Sequence, residues 1–343
     1  MSAGVVRTLS FETSTTRAGD VVECDVKSLS IAYRVEGTWL RAVRDLSFQV
    51  RRGQMLAIVG ETGSGKSSTG SALLRLLPSR GKVVGGSIEI AGQDVLALSG
   101  RALRQMRGKL VGYVPQQPSS AFNPTMTIGR QVAEALVAQG ARYRETIGLV
   151  CETLAEMGLD EPERLVNAYP HQLSGGMLQR AMIAGAIIGR PRLLIADEPT
   201  SALDVSIQRQ ILDLLRRVRN KHGLTAILIT HDLGAVAQIA DIVMVLYGGR
   251  LVEIGPMESV LNSPRHPYTR GLIESTLGRG QPHKSRLAAL PGTPPSPGEI
   301  ESDPGCPFRS RCIRAISACR EQFPNARSES VHVWHCHNPG SSL

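Results

Sequence analysis

Apolar positions in this chain follow three patterns. From 21 to 50 they alternate with polar ones, which predicts strands. Two of these are 27–33 and 46–50, with Glu36, Gly37 and Thr38 as a turn between them. Residues 55–59, 110–114, 192–197 and 224–230 are short, mainly apolar runs, the mark of strands buried on both faces. Helical periodicity covers 67–77, which presents Leu73, Leu74, Leu76 and Leu77, and again 179–188. Residues 101–109 read as a basic, solvated helix. Residues 125–168 read as mostly helical, with breaks near Gly140 and Gly158. The stretch 81–98 reads as short strands around Gly85-Gly86 and Ala91-Gly92. Residues 1–20 are rich in Ser, Thr and Gly and are expected to be a flexible arm. The proline-rich run 291–304 is expected to form a semi-rigid strap over the surface. Buried strands alternating with helices predict an α/β fold with a mostly parallel sheet and crossover helices. In such a sheet a ligand belongs at the carboxyl ends of the strands.

Composition narrows the class. The chain has 343 residues, room for one large domain and a small annex, and 42% hydrophobic residues allow a full core. Aromatic residues are 4%, which argues against stacking platforms for single-stranded nucleic acid. The formal charge of +9 suits nucleic acid, an anionic membrane leaflet or an arginine-rich soluble surface, and leaves all three open. No long apolar core marks a signal peptide, and no run nears the roughly 18 apolar residues of a membrane span. A cytosolic chain that meets a membrane only through partners is expected.

The chemistry sits at the predicted strand ends. Run 55–59 leads into Gly60-Glu-Thr-Gly-Ser-Gly-Lys66-Ser67-Ser68, the P-loop pattern of a strand, a glycine-rich turn and a helix. Its glycines let the backbone wrap phosphates, Lys66 reaches the β- and γ-phosphates, and the Ser67 hydroxyl ligates Mg²⁺. Run 192–197 ends in Asp197 and is followed by Glu198; the first is placed to hold Mg²⁺ through water, the second to polarise an attacking water. Gln116, between Pro115 and Gln117, is an ordinary loop residue by itself; beside a P-loop it is a candidate contact of Mg²⁺ or of that water. His231, at the end of 224–230, is a candidate γ-phosphate partner. In Leu173-Ser174-Gly175-Gly176-Met177, Ser174 caps a helix and the two glycines leave N–H groups uncovered, an anion site at a positive helix end. A second phosphate clamp beside a complete P-loop suggests a nucleotide held between two copies of the domain.

Together these residues resemble the ATP-binding subunits of ABC transporters, over about 21–261. The resemblance implies an ABC ATPase domain of the P-loop NTPase class: a mostly parallel core sheet, an antiparallel β subdomain and a helical insert over about 117–186. Walker A is 60–68, with Gly60, Thr62, Gly63, Ser64, Gly65, Lys66, Ser67 and Ser68 as its nucleotide-binding residues. The Q-loop residue is Gln116, the signature contains Ser174, Gly175 and Gly176, and Walker B ends at Asp197. The family's catalytic glutamate falls on Glu198, its D-loop on residues 201–204 ending in Asp204, and its switch histidine on His231. Mg²⁺ then has Ser67, Gln116 and Asp197 as ligands. Tyr33 resembles the residue that stacks on adenine, with Trp39 as the alternative. Two such domains pair head to tail, with ATP between one Walker A and the other signature. Pro115 and Gln117 stand where an aromatic and an aspartate are expected, and Leu178 where a basic residue is common.

The tail, 262–343, resembles the C-terminal extension of oligopeptide/dipeptide and nickel importer ATPases. The residues are His266-Pro-Tyr-Thr-Arg270-Gly-Leu, the run 290–298 and Gly305-Cys-Pro-Phe. This implies two transmembrane permeases, an extracytoplasmic substrate-binding protein reached through them, no nucleic acid, and residence at the cytoplasmic face of the membrane. A soluble ABC ATPase acting on nucleic acid is the rival from another class. The single ATPase domain, the missing coiled-coil insert and the importer-like tail weigh against it. Four of the six cysteines, Cys306, Cys312, Cys319 and Cys336, lie in this tail, and such clustering in a cytosolic chain points to metal more than to disulfides. Gaps of 5, 6 and 16 residues lack any C-x-x-C, so spacing leaves Zn²⁺, an iron–sulfur cluster and free thiols open. The resemblance implies a [4Fe–4S] cluster. Zn²⁺ is the alternative, with His332, His335 or His337 as a further ligand. Cys24 and Cys151 are isolated and expected to be packed.

Overall fold

The computed structural model describes residues 21–201, 203–277 and 290–340. The expected flexible arm at 1–20 lies outside them, as does Ala202 of the expected D-loop. The described residues form two compact units: 21–51, 59–96, 242–277 and 290–340 make the first, and 52–58 with 97–201 and 203–241 the second.

In the first unit, β1 (Val22–Val35) and β2 (Thr38–Arg51) pair antiparallel, with Val35 opposite Thr38. The two linking residues, Glu36 and Gly37, both have positive φ, as a tight two-residue hairpin turn requires. β4 (Gly81–Ile90) adds antiparallel to β1, and a second such turn at Ala91-Gly92 leads to β5 (Gln93–Asp94). The order is β2-β1-β4-β5. Alternation buries one set of side chains, including Leu29, Ile31, Leu46 and Ile88.

The same unit holds β9 (Ile242–Tyr247) and β10 (Arg250–Pro256), an antiparallel hairpin turning at Gly248-Gly249. The tail extends this hairpin: β12 (His332–Trp334) pairs with β10 and β11 (Arg327–Glu329) with β12. One carboxylate ties the join together. Glu253, fully buried on β10, accepts from the Arg265 N–H at 2.7 Å, the His266 N–H at 2.9 Å, and pairs with His332 Nε2 at 2.7 Å. His266 is also buried, and its Nδ1 accepts from the Tyr268 N–H at 3.1 Å.

Burial pushes the His266 imidazole down from 6.5 to about 3. Its folded pKa is therefore below its unfolded one, and the unfolded chain takes up the proton first. Stability is present above pH 6.5 and is lost as pH falls from there toward 3, at up to about 1.4 kcal/mol per pH unit. Urea melts between pH 7 and pH 5 should show this slope, and His266→Gln should flatten it; an equal slope in the variant would refute the assignment.

The second unit holds β3 (Met55–Val59), β6 (Val111–Val114), β7 (Leu193–Asp197) and β8 (Thr225–Thr230), in the order β3-β8-β7-β6. The pairs β6–β7 and β7–β8 are parallel. Every residue of β3, β7 and β8 is buried, which accounts for their apolar sequences. The helix Val205–His222 buries Ile211, Leu212, Leu214, Leu215 and Val218, and ends at Gly223 in the left-handed conformation. Between Pro118 and Ile187 lie the expected helices, with Gly140 and Gly158 at positive φ where breaks were read from sequence.

Candidate active site

β3 runs into the glycine-rich loop, which packs against its own unit. A Cβ at Gly60 would collide with the Leu246 carbonyl oxygen, and one at Gly65 would lie 2.8 Å from the Ala42 oxygen. Only glycine fits at either place. The Gly249 N–H donates to the Ser64 carbonyl at 3.2 Å, fixing the loop to the β9–β10 turn. Lys66, 5% exposed, curls back so that Nζ donates to the carbonyls of Gly60 at 2.7 Å and Glu61 at 3.0 Å. The ammonium is thus held under the arch of the loop. The buried Ser64 hydroxyl has no hydrogen-bond partner among the described residues, while Thr62, Gly63 and Ser67 face outward. A curled loop with a central cation and an unspent hydroxyl is suited to phosphate.

The Tyr33 hydroxyl donates to Ser68 Oγ at 3.0 Å, and its ring edge lies over Gly81. Trp39, 38% exposed, has Lys82 Nζ 4.0 Å above its ring.

In the second unit, four polar side chains stand at neighbouring carboxyl ends of parallel strands. Asp197 closes β7 and is buried. The Tyr113 phenol on β6 is pushed up to about 12, first by burial and then by the charge of Asp197. Glu198 follows with φ of 45°, a conformation that costs a non-glycine residue about 1–2 kcal/mol. Its N–H donates to Ile229 of β8 at 2.8 Å, and the turn swings its side chain across the strand ends. Gln116, two residues beyond β6, donates from Nε2 to Glu198 Oε2 at 3.0 Å. His231, the residue after β8, places Nδ1 3.3 Å from Oε1. The carboxylate is 14% exposed and the imidazole 56%. A strained, half-shielded carboxylate with both oxygens engaged suits proton abstraction from water.

Ser174 caps the helix Gly175–Ile187, its Oγ accepting the Met177 N–H at 3.3 Å, and Ser174 and Gly175 are exposed. Asp204 caps Val205–His222 in the same way, accepting from the Ile207 N–H at 3.0 Å and Ser206 Oγ at 2.8 Å. These donors hold its carboxyl below the usual carboxylate range. The two helix starts touch: a Cβ on Gly176 would lie 3.3 Å from Ile207 Cγ2.

Comparisons with known proteins agree with this geometry. Residues 43–201 match the ABC transporter family, and 252–319 match the oligopeptide/dipeptide transporter C-terminal region. A putative peptide import ATP-binding protein of Brucella abortus is 42% identical over 301 residues, covering 88% of this chain and 90% of that protein. A probable peptide ABC transporter ATP-binding protein of Sinorhizobium fredii is 44% identical over 302 residues, with the same coverage of 88% and 90%. The chain is an ABC transporter ATP-binding subunit. Among solved structures, the dimeric post-hydrolysis state of the ATP-binding cassette MJ0796 bound to ADP and Pi superposes with a TM-score of 0.61. It is 26% identical and covers 68% of this chain and 98% of its own. The structure of cbiO1 from Clostridium perfringens, part of the ABC transporter complex cbiONQ, gives a TM-score of 0.61 at 27% identity, covering 70% of this chain and 90% of its own. The subunit hydrolyses ATP in step with transport, as this family does.

The tail of the subunit brings its four cysteines within electrostatic reach of one another. Burial first, and then Cys319, Cys336 and Cys312, push the Cys306 thiol up to about 12. Burial, then Cys312 and Cys319, push Cys336 to about 11. Yet among the described residues no group of three or more His, Cys, Asp or Glu could hold a metal ion. The expected cage of Cys306, Cys312, Cys319 and Cys336 is therefore not closed around a single ion. The histidines offered as further zinc ligands are engaged elsewhere: His332 with Glu253, His335 Nδ1 with the Pro324 carbonyl at 3.0 Å, and His337 Nε2 with the Gln322 carbonyl at 3.1 Å.

The proline-rich run also differs from the expected strap. Ser296 and Glu299 form a reciprocal capping box that starts the helix Pro297–Ser302. From it Glu301 accepts from the Arg41 N–H and Nε, both at 2.9 Å, and from Arg44 Nη2 at 2.9 Å. The S-x-x-E spacing at 296–299 is the sequence signal that reveals this helix. No local signal reveals Arg311, whose guanidinium reaches the phosphate loop at Glu61.

Proposed function

We propose that this subunit powers the import of peptides. The observation that carries the reading is the tail, whose residues 252–319 match the oligopeptide/dipeptide transporter C-terminal region. The Brucella and Sinorhizobium relatives, named for peptide import and peptide transport, support it. ATP binds with its phosphates on the loop 60–68, where Lys66 and the Ser64 hydroxyl meet them. Ser67, Gln116 and Asp197 are the hard oxygen donors for Mg²⁺, which supplies charge neutralisation at the phosphates when bound. A second ATPase subunit, identical or related, presents its Ser174, Gly175 and Gly176 to the same nucleotide, and Asp204 lines the joint. Glu198 takes the proton of the attacking water, Gln116 holds its carboxylate, and His231 steadies the γ-phosphate. Tyr33, tied to Ser68, sits at the adenine end. Two permeases receive the motion at the cytoplasmic face of the membrane, and a binding protein delivers cargo to them from outside. Among the described residues no helix is long and apolar enough to cross a membrane.

The tail cysteines are proposed to hold a [4Fe–4S] cluster, with Zn²⁺ as the alternative. The reading is supported by Cys306 and Cys336, whose thiols are pushed up first by burial and then by the neighbouring cysteines, a cost that a cationic centre would offset. Its role is a tie within the tail. The test is one preparation. The subunit is expressed with its neighbouring permeases and binding protein, purified without air and placed in vesicles. ATP-dependent uptake of short peptides is expected, together with iron and sulfide in the protein. Uptake of nickel but not peptide, or copurification with nucleic acid in place of permeases, overturns the cargo reading. A metal-free tail with unchanged melting overturns the cluster.

A further inference from the structure

We propose that Arg311 of the tail is a positioning residue for the phosphate loop: it neutralises and anchors Glu61, so that ATP affinity depends on the tail being in place. The inference rests on the reading of loop 60–68 as the nucleotide site. Glu61 is the second residue of that loop, and a carboxylate there repels a triphosphate unless it is neutralised. The structure supplies the neutralising partner from 250 residues away. Arg311 Nη1 donates to Glu61 Oε2 at 2.7 Å and Nη2 to Oε1 at 3.1 Å, a two-pronged pairing.

The guanidinium is itself locked. Its Nε donates to the Pro291 carbonyl at 2.7 Å and Nη1 also to the Tyr247 hydroxyl at 3.1 Å. The rings of Tyr247 and Phe308 lie 5.7 and 5.8 Å from it, and the side chain is 5% exposed. A second tail residue grips the same place: the Glu61 N–H donates to the buried Tyr268 hydroxyl at 2.8 Å. Backbone and side chain of Glu61 are thus both held by residues of the tail. The tail also backs the turn on which the loop rests. Gly248 packs on Pro307, and the next residue, Gly249, hydrogen-bonds Ser64. All of these tail side chains lie outside the loop 60–68, so their effect is on where the loop and its charge sit. Arg311 directly precedes Cys312, one of the four tail cysteines.

The test is the affinity of the full-length chain for Mg-ATPγS, by titration calorimetry. Arg311→Met frees an unpaired carboxylate on the loop and should weaken binding at least tenfold, about 1.4 kcal/mol. Adding Glu61→Gln to Arg311→Met should recover most of that loss, because the repelling charge is gone. Packing alone predicts the opposite, a double variant no better than Arg311→Met. That result, or wild-type affinity in Arg311→Met, overturns the proposal. Tyr268→Phe keeps the ring and removes one acceptor; it carries the test if Arg311→Met fails to fold. Weakened binding in it supports the proposal and unchanged binding overturns it. Lys66→Ala is the control. If it binds as the wild type does, the reading of the loop has failed; if it loses binding while the Arg311 and Tyr268 variants do not, only this inference falls.

Discussion

Glu198→Gln should bind ATP as the wild type does and hydrolyse it about 10²- to 10⁴-fold more slowly, the range of a lost general base. The substitution is isosteric. The amide oxygen can still accept from Gln116 Nε2, and the backbone bond to Ile229 is untouched. What vanishes is the basic oxygen, held at a strand end by a backbone φ of 45° and flanked by His231. Phosphate release by the assembled transporter measures the rate, and nucleotide retention measures binding. Near-normal turnover would remove Glu198 from the role. Weak binding would mean instead that the carboxylate holds the site together.

Lys66→Ala should act earlier and abolish capture of the nucleotide. Charge-assisted hydrogen bonds are worth about 1.5–3 kcal/mol each, so losing one or two to phosphate predicts about a 10²- to 10³-fold weaker complex. The loop itself should survive. Gly60 and Gly65 are fixed by backbone approaches that do not involve the ammonium, and the Ser64 carbonyl still accepts from Gly249. Binding of Mg-ATPγS by calorimetry, with a melt to verify folding, decides it. Affinity within threefold of the wild type would exclude the loop as the phosphate site. The two variants separate binding from chemistry, since one fails at capture and the other only after it.

Much of this architecture is legible in the amino-acid sequence. Strands β3, β7 and β8 are mainly apolar because both faces are covered, and each leads into a polar motif at its carboxyl end. The Glu36-Gly37 turn, the helix breaks at Gly140 and Gly158, and the cap at Ser174 depend on neighbours only a few residues away. Local rules therefore sufficed. The helix Pro297–Ser302 was equally local, and was missed because proline content outweighed the capping box that begins one residue before it.

Fold class, motif order and the chemistry each motif can perform follow from the order of residues, because backbone sterics, burial periodicity and side-chain type act over short stretches. Which polar groups are spent on one another emerges only when the chain has folded. Folding gives Gln116 and His231 to Glu198, His332 to Glu253, and Arg311 to Glu61 across 250 residues. Such pairings depend on distances through space between groups that carry no mark of their partner, and the closing of the chain on itself sets those distances.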